Sequence, residues 1–365
     1  MKQWKIRHKA LAGILAVTAV CYGISWKFQG AVDWYKCNVF PLGTNTLARF
    51  MSLFPFSVGE ILICFGIGMI AAAAVIGILC CFFKCRMRKF AKHYFEFLLW
   101  ILVWVLVAEN FNCYMLYHAA TLEESHFSGI TETEETLVFA YNDMVEHANA
   151  LSLLMERDEK GEVVYRGDLY EACKSAMQSL GEEYPYLKGY YPNPKKILAS
   201  DFMSQQHLLG IYFPFTLEAN YNTTMYIMNR AATICHELSH IKGVILEDEA
   251  NFFGFLACTS SDDPFLAYSG YLSVLGYVSR EVRKNVDLET RKSMAVPNEL
   301  VQKDAVFLTR DEWERVERHA AFETETVNQA TNAFLEGNLK ANGVKDGTAS
   351  YSRVVRLLLK WYEKG

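Results

Sequence analysis

The chain has 365 residues, of which 52% are hydrophobic and 21% are charged, and its net charge is −5 at pH 7. That length allows two domains and a large core, and the acidic balance argues against nucleic acid as a partner. The charge is unevenly distributed: 12 Lys/Arg and 4 Asp/Glu from Met1 to Asn112 give +8, whereas 24 and 37 from Cys113 to Gly365 give −13. This division predicts a basic membrane anchor, residues 1–117, followed by an acidic domain, residues 118–365.

Three apolar stretches in the basic part predict transmembrane helices, at about residues 10–26, 61–83 and 94–114. The first has no charge between Lys9 and Lys27, and the second is uncharged over its whole length. The third is apolar in the middle and polar at both ends. A helix of about 20 apolar residues crosses the hydrocarbon core of a bilayer. The sequence therefore predicts a multi-pass protein with the lipid bilayer as a partner.

The positive charges predict the orientation of these spans. Nine Lys/Arg lie before the first span and in the loop after the second, whereas three lie in the loop between the first and second spans. Because positively charged loops stay in the cytoplasm, the N-terminus is predicted to be cytoplasmic. With three spans, the domain that follows lies on the extracytoplasmic side. With only two, it would lie in the cytoplasm.

The acidic part is predicted to be α+β, mostly helical with a small sheet. Apolar residues at helical spacing predict a helix over Glu134–Met155, and an aspartate cap predicts a second helix over Asp168–Leu180. Two stretches rich in aromatic and β-branched residues, Ile197–Ser200 and Gly210–Asn222, predict strands. Pro214 lacks a backbone donor, so its strand is predicted to lie at a sheet edge.

The stretch CHELSHIKG contains two histidines four residues apart with a glutamate beside the first. On a helix, His236 and His240 lie about 40° apart and Glu237 lies on the same side, whereas Ile234 and Leu238 lie on the opposite face. This spacing lets both imidazoles bind one Zn²⁺ and lets the glutamate take a proton from water. The sequence therefore predicts a zinc site with His236 and His240 as ligands and Glu237 as the general base.

A third zinc ligand is predicted just beyond this helix. Gly243 lets the chain turn, and Glu247 and Asn251 then lie four residues apart on the next helix. In this arrangement the carboxylate binds the metal, while the amide holds a ligand histidine in position. Glu247 is the favoured ligand, and Glu249 is the alternative.

These motifs resemble known families. HELSH followed by EDEAN is similar to the gluzincin zinc metallopeptidases, in which a Glu-x-x-x-Asp helix supplies the third ligand, although Asn251 here replaces the usual Asp. The gap from His240 to Glu247 is also unusually short. A closer resemblance is to the bacterial membrane-protein family called domain of unknown function 3810, through PFSVGE, GIYFPFTLEAN, CHELSHIKG, EDEANF and LKANGVKDGTASYSRVV. It implies a membrane-anchored zinc metallopeptidase with a zincin-like domain, and it implies no substrate.

Two further parts of a catalytic site are predicted. The edge strand GIYFPF is the candidate for holding an extended peptide by main-chain hydrogen bonds. A donor that stabilises the oxyanion is often a tyrosine or histidine. Tyr351 is the candidate because it lies in the SY segment of the family-like C-terminal motif, and His207 and Tyr212 are the alternatives.

The predicted function is a membrane-anchored, zinc-dependent endopeptidase that acts on a peptide or protein substrate. Two alternatives from other classes stay open. One is a membrane-anchored scaffold with a structural zinc, although such sites are usually closed by four protein ligands and need no base. The other is a sensor that uses a metallopeptidase-like domain to signal across the membrane.

Overall fold

The computed structural model describes residues 2–82, 86–347 and 353–364, and these residues divide into two compact units. Unit 1 contains the residues up to Ala119 together with the short segment Phe213–Glu218. Unit 2 contains Ala120–Tyr212 and the residues from Ala219 onward. The sequence predicted a single boundary near residue 117. The structure adds that the later segment Phe213–Glu218 belongs to unit 1.

Unit 1 is helical over the residues that the structure describes. Its α-helices are α1 Lys2–Ser25, α2 Gln29–Asn38, α3 Phe40–Gly43, α4 Arg49–Met51, α5 Val58–Phe82 and α6 Arg86–Asn112, with a π-helical turn at Thr44–Ala48 and a 3₁₀ turn at Tyr114–His118.

Three segments of unit 1 are long and apolar enough to cross a membrane, namely Ile6–Ser25, Val58–Phe82 and Arg88–His118. They correspond to the three predicted spans. At most 11% of the apolar window of each is buried within the protein, so their surfaces offer the apolar area that lipid covers. The polar ends of the third predicted stretch do not interrupt α6, which is continuous for 27 residues.

Two motifs that are distant in the sequence meet inside unit 1. The carboxylate of Glu218 accepts hydrogen bonds from the backbone N–H groups of Val58 (3.2 Å) and Gly59 (2.6 Å), at the first turn of α5. A negative charge there satisfies donors that have no partner within the helix. The ring of Phe213 lies so close to Gly59 that a Cβ atom at this position would be 2.2 Å from Cδ2. PFSVGE and FPFTLE are therefore parts of one packed contact.

Unit 2 contains twelve α-helices and three short strands among the described residues. In chain order they are α7 Leu122–His126, α8 Glu134–Ser152, α9 Leu169–Ser179, β1 Lys195–Ile197, α10 Ser200–Gln205, β2 Gly210–Phe213, β3 Glu218–Asn222, α11 Arg230–His240, α12 Glu247–Thr259, α13 Pro264–Asn285, α14 Leu288–Lys292, α15 Glu299–Asp304, α16 Arg310–His319, α17 Thr324–Ala341 and α18 Val354–Lys364. The chain is thus mostly helical with a small sheet, as predicted.

Helix ends in unit 2 follow the side-chain signals in the sequence. The carboxylate of Asp168 accepts hydrogen bonds from the N–H groups of Tyr170 and Glu171, so α9 begins where the aspartate cap predicted. Gly243 adopts a φ of +78°, a conformation that glycine reaches without steric cost. The chain therefore leaves α11 and turns into α12 at the predicted glycine.

The sheet has the strand order β1-β3-β2. The prediction of one strand over Gly210–Asn222 is wrong, because this segment forms two strands: β2 lies at an edge, as Pro214 predicted, whereas β3 is central. β1 pairs with β3 in parallel, with Lys195 opposite Asn220 and Ile197 opposite Asn222. The predicted strand Ile197–Ser200 is wrong beyond its first residue, because α10 begins at Ser200. There the Ser200 hydroxyl donates to the Ile197 carbonyl and turns the chain away from the sheet.

One buried polar cluster ties separate parts of unit 2 together. Asp304 is 1% exposed, and both of its carboxylate oxygens accept from the guanidinium group of Arg157, at 3.0 and 2.6 Å. The hydroxyl groups of Tyr226 and Tyr268 donate to the same carboxylate at 3.1 and 2.9 Å. A buried charge is stable only with such partners. The cluster therefore joins α13 and α15 to the irregular segment that precedes α9.

Candidate metal centre

Helix α11 has one apolar face and one face that carries the predicted metal ligands. Its apolar residues Ala231, Ile234 and Leu238 are fully buried in the core of unit 2. On the other face, the rings of His236 and His240 lie 4.8 Å apart between centroids. The packing of the apolar face therefore fixes the direction in which both imidazoles point.

Three potential ligand atoms converge beside this helix. One atom each from His236, His240 and Glu247 lie within 4.8 Å of one another. The Nε2 atom of His236 is 3.2 Å from Oε2 of Glu247. Two ligands that bind one tetrahedral zinc at about 2.0–2.1 Å lie roughly 3.3 Å apart. The distance between His236 and Glu247 is compatible with two ligands of one ion, and the wider spacing of the three atoms would have to close slightly around it.

Both histidines are held by their other ring nitrogen. Nδ1 of His236 lies 2.9 Å from Oδ1 of Asn251, and Nδ1 of His240 lies 2.6 Å from the carbonyl oxygen of Val244. A carbonyl oxygen can only accept, so Nδ1 of His240 carries the proton and its Nε2 keeps a lone pair. Oδ1 of Asn251 is placed to accept from Nδ1 of His236 in the same way. This is the arrangement of a histidine that binds a metal through Nε2.

The rotation of α12 separates the two candidate glutamates. At about 100° per residue, Asn251 lies about 40° from Glu247, whereas Glu249 lies about 200° away on the opposite face. Glu249 is buried there, and its carboxylate accepts a hydrogen bond from the N–H group of Leu122 at 2.5 Å. Of the two, Glu247 is the one beside His236 and His240.

A glycine brings α12 close to α11. A Cβ atom at Gly254 would lie 2.9 Å from the carbonyl oxygen of Ala232 and 3.5 Å from Cβ of His236. Gly254 lies on the same face of α12 as Glu247 and Asn251, two turns further along. The two helices can therefore approach closely enough for the hydrogen bond between Asn251 and His236 to form.

Glu237 is buried next to the predicted ligands. It is 4% exposed, its Oε1 atom is 4.0 Å from Nε2 of His236, and its Oε2 atom has no hydrogen-bond partner among the described residues. Burial raises the pKa of Glu237 to about 8. A buried carboxylate oxygen without a partner costs free energy. Such an atom is suited to accept a proton from a molecule that enters the site.

The charges of the site favour one cation between its carboxylate and its imidazoles. Burial lowers the pKa of His236, but the carboxylate of Glu247, which accepts a hydrogen bond from His236 and carries a negative charge, outweighs this effect, and the net direction is upward. Burial lowers the pKa of His240 to about 4, with a further contribution from the charge of His236. His240 is therefore neutral at pH 7, as a metal ligand must be.

The comparison with protein families matches nearly the whole chain. The model of the protein family of unknown function DUF3810 matches residues 35–359. The chain belongs to the DUF3810 family. The match spans most of both units, including the metal centre and the three motifs outside it that carried the resemblance. No curated protein and no solved structure matches the chain. The family description gives no activity, so the chemistry of this DUF3810 protein has to be argued from its own side chains.

The edge strand β2 runs against the metal centre of the DUF3810 protein. A Cβ atom at Gly210 would lie 2.3 Å from Oε1 of Glu237, so this position has no room for a side chain. Two residues on, the ring of Tyr212 is 5.7 Å from the ring of His240. Because alternate residues of a strand share a face, Gly210 and Tyr212 both lie on the side that meets α11.

Of the other two candidate oxyanion donors, the structure describes only His207. The ring of His207 stacks on Phe307, with centroids 5.7 Å apart, and also contacts Trp313, which is a packing role. Tyr351 lies outside the described residues. Of the two candidates that the structure describes, Tyr212 is the one beside the candidate metal centre.

Two parts of this site were not predicted from the sequence. The carbonyl oxygen of Val244 holds His240, and every residue has such an oxygen, so no side-chain signal marks it. The contact between Gly210 and Glu237 joins positions 27 residues apart. The one available signal was a glycine at the start of a strand, which often marks a close approach of two backbones.

The role of Asn251 is tested by its replacement with alanine. We expect Asn251→Ala to lower the affinity for zinc by about 10–100-fold, because Nδ1 of His236 loses the acceptor that fixes its tautomer and ring orientation. The measurement is competitive zinc titration of the full chain in detergent. Asn332→Ala, on the exposed side of α17, is the control. Equal zinc affinity in both variants would contradict the role.

Proposed function

We propose that this DUF3810 protein is a membrane-anchored, zinc-dependent endopeptidase whose catalytic domain, unit 2, has a zincin-like site. The observation that carries the proposal is the convergence of His236, His240 and Glu247, with both histidine Nδ1 atoms held by oxygen acceptors, next to the buried carboxylate of Glu237.

The donor set fits Zn²⁺. Two imidazole nitrogens and one carboxylate oxygen are ligands that zinc binds, and three protein ligands are characteristic of catalytic sites, whereas structural sites usually have four. The group holds three ligands among the described residues. A zinc ion bound there would polarise a carbonyl group and lower the pKa of a water molecule.

Glu237 is the proposed general base. Its partnerless Oε2 atom accepts the proton of the attacking water, and the same carboxyl group then donates that proton to the leaving amine. Burial raises the pKa of this group, and a cation bound beside it would lower that pKa again, so that the carboxylate is present to take up the proton. The backbone at Gly210 packs against the carboxylate and limits the positions that its side chain can adopt.

The proposed substrate is a peptide in an extended conformation. Strand β2 lies at the sheet edge, and Gly210 and Tyr212 lie next to Glu237 and His240. A substrate strand added to this edge would place its scissile bond close to these groups. The side chains of His236 and Glu247 are 14% and 22% exposed, so an incoming group can reach them.

The proposal places unit 2 on the extracytoplasmic side. Nine positive charges flank the predicted cytoplasmic ends of the first two spans, against three in the loop between them, and three candidate spans then carry the chain across the membrane. We expect an alkaline phosphatase reporter fused after Gly365 to be active and a green fluorescent protein fusion at the same position to be dark. The opposite pattern would contradict this localisation.

The experiment that tests the activity uses the full chain purified in detergent and a mixed peptide library. We expect cleavage products in the zinc-loaded protein, none after treatment with a chelator, and recovery when zinc is added back. A zinc-loaded chain that cleaves no peptide would favour the scaffold or sensor interpretation.

A further inference from the structure

Unit 2 contains a cavity of about 330 Å³ that none of the proposed catalytic residues lines. Tyr141 on α8, Ser279 and Arg283 on α13, and Arg291 on α14 form its polar side. Met294 and Val296, in the segment after α14, belong to its apolar side. Cavities that bind small molecules typically begin at about 300 Å³ and combine an apolar wall with a few convergent polar groups. The volume lies at the lower end of this range, and the lining combines both kinds of group.

The cavity has two positive charges and no acidic residue in its lining. The acidic side chains of the same elements are already engaged elsewhere. Glu281 pairs with Lys284 at 2.9 Å, and Glu289 pairs with Lys292 at 2.8 Å. Asp287 caps α14 by accepting from two backbone N–H groups. These three carboxylates of α13 and α14 thus have partners other than the two arginines of the cavity.

Arg291 carries the clearest sign of a missing partner. Its Nε atom is buried, and no hydrogen-bond acceptor reaches it among the residues that the structure describes. No carboxylate lies within ion-pair distance of Arg283 or Arg291 in the same described part of the chain. A guanidinium group normally has hydrogen-bond acceptors for its N–H groups, and a buried donor without one costs free energy. The arrangement is stable when an anion supplies the acceptor.

The cavity also has apolar residues in its lining, which a bare ion would leave without a contact. Met294 is buried, whereas Val296 is 72% exposed at the rim, so one side of the cavity is open to an incoming molecule. Tyr141 and Arg283 line the same cavity, so the tyrosine hydroxyl adds a further donor to those of the guanidinium groups. A hydroxyl donor beside a guanidinium group is a common setting for an oxyanion.

We propose that this cavity binds a small organic anion, with its phosphate or carboxylate group held by Arg283 and Arg291 and its apolar part against Met294 and Val296. Planar guanidinium groups bind both oxyanions through paired hydrogen bonds. The site is separate from the proposed peptidase centre, so it stands whether or not the chain cleaves peptides.

The test is isothermal titration calorimetry of the full chain in detergent at low ionic strength, with phenyl phosphate, benzoate and inorganic phosphate as probes. We expect saturable binding of phenyl phosphate or benzoate with a dissociation constant below about 1 mM, and weaker binding of inorganic phosphate because it lacks the apolar part. The tighter of the two aromatic probes identifies the head group. Failure of both to bind would overturn the proposal.

Variants separate the cavity from general charge effects. We expect Arg291→Gln and Arg283→Gln each to weaken binding about tenfold or more, because a charge-assisted hydrogen bond is lost. Lys196→Gln removes the same charge from an exposed position that does not line the cavity, and it should bind like the wild type. Val296→Trp tests the site without touching the arginines, since the exposed rim tolerates a larger side chain that fills the cavity. Unchanged binding in Val296→Trp and in both arginine variants would overturn the proposal.

Discussion

Replacing Glu237 with glutamine is expected to lower the rate of peptide hydrolysis by about 10²–10⁴-fold while zinc stays bound. The amide has nearly the same size as the carboxylate, so the packing against Gly210 is preserved. It cannot accept the proton of the attacking water, however, and this is the role proposed for the partnerless Oε2 atom. The loss should therefore appear in kcat, with little change in zinc content or in Tm.

The measurement is kcat/KM of wild type and Glu237→Gln on one cleaved peptide, together with elemental analysis of zinc. Glu249→Gln is the matched control, because Glu249 is equally buried but accepts a hydrogen bond from Leu122 on the opposite face of α12. It should change stability and leave the rate largely intact. Undiminished hydrolysis by Glu237→Gln would reject Glu237 as the base even if zinc is present.

Replacing Glu247 with alanine is expected to lower zinc affinity by more than about 100-fold. This loss is larger than the one expected for Asn251→Ala, because Asn251 only positions a ligand. Glu247 is the carboxylate beside His236, and its removal leaves two imidazoles as protein ligands. The same carboxylate raises the pKa of His236. Its removal therefore also takes away the negative charge that favours a cation next to this histidine.

Glu249→Ala provides the contrast. It should keep zinc but lower the free energy of unfolding by about 1.5–3 kcal/mol, since the buried N–H group of Leu122 loses a charged acceptor. Competitive zinc titration and thermal melting of both variants measure the two effects. His236→Ala/His240→Ala serves as the reference without a zinc site. A lower zinc affinity in Glu249→Ala than in Glu247→Ala would move the ligand to Glu249.

The sequence by itself determined the features that depend on neighbours along the chain. The spacing of His236 and His240 placed both imidazoles on one face of α11, because residues four apart on a helix lie one above the other. Ile234 and Leu238 marked the opposite face, and both are buried. Uncharged apolar runs located the three candidate spans. Asp168 and Gly243 marked helix ends through their own hydrogen bonding and φ angle.

Only the tertiary structure decided the features that depend on how separate elements pack. Periodicity gives the angle between Glu247 and Glu249 on α12, but the rotation of that helix against α11 is set by the close approach at Gly254. The contact of Gly210 with Glu237 and the grouping of Phe213–Glu218 with unit 1 join distant positions. The cavity lined by Arg283 and Arg291 also depends on packing between elements, because Tyr141 of α8 belongs to the same lining. Such contacts are stabilised by burial and complementary shape across the whole core, and no local pattern in the sequence records them.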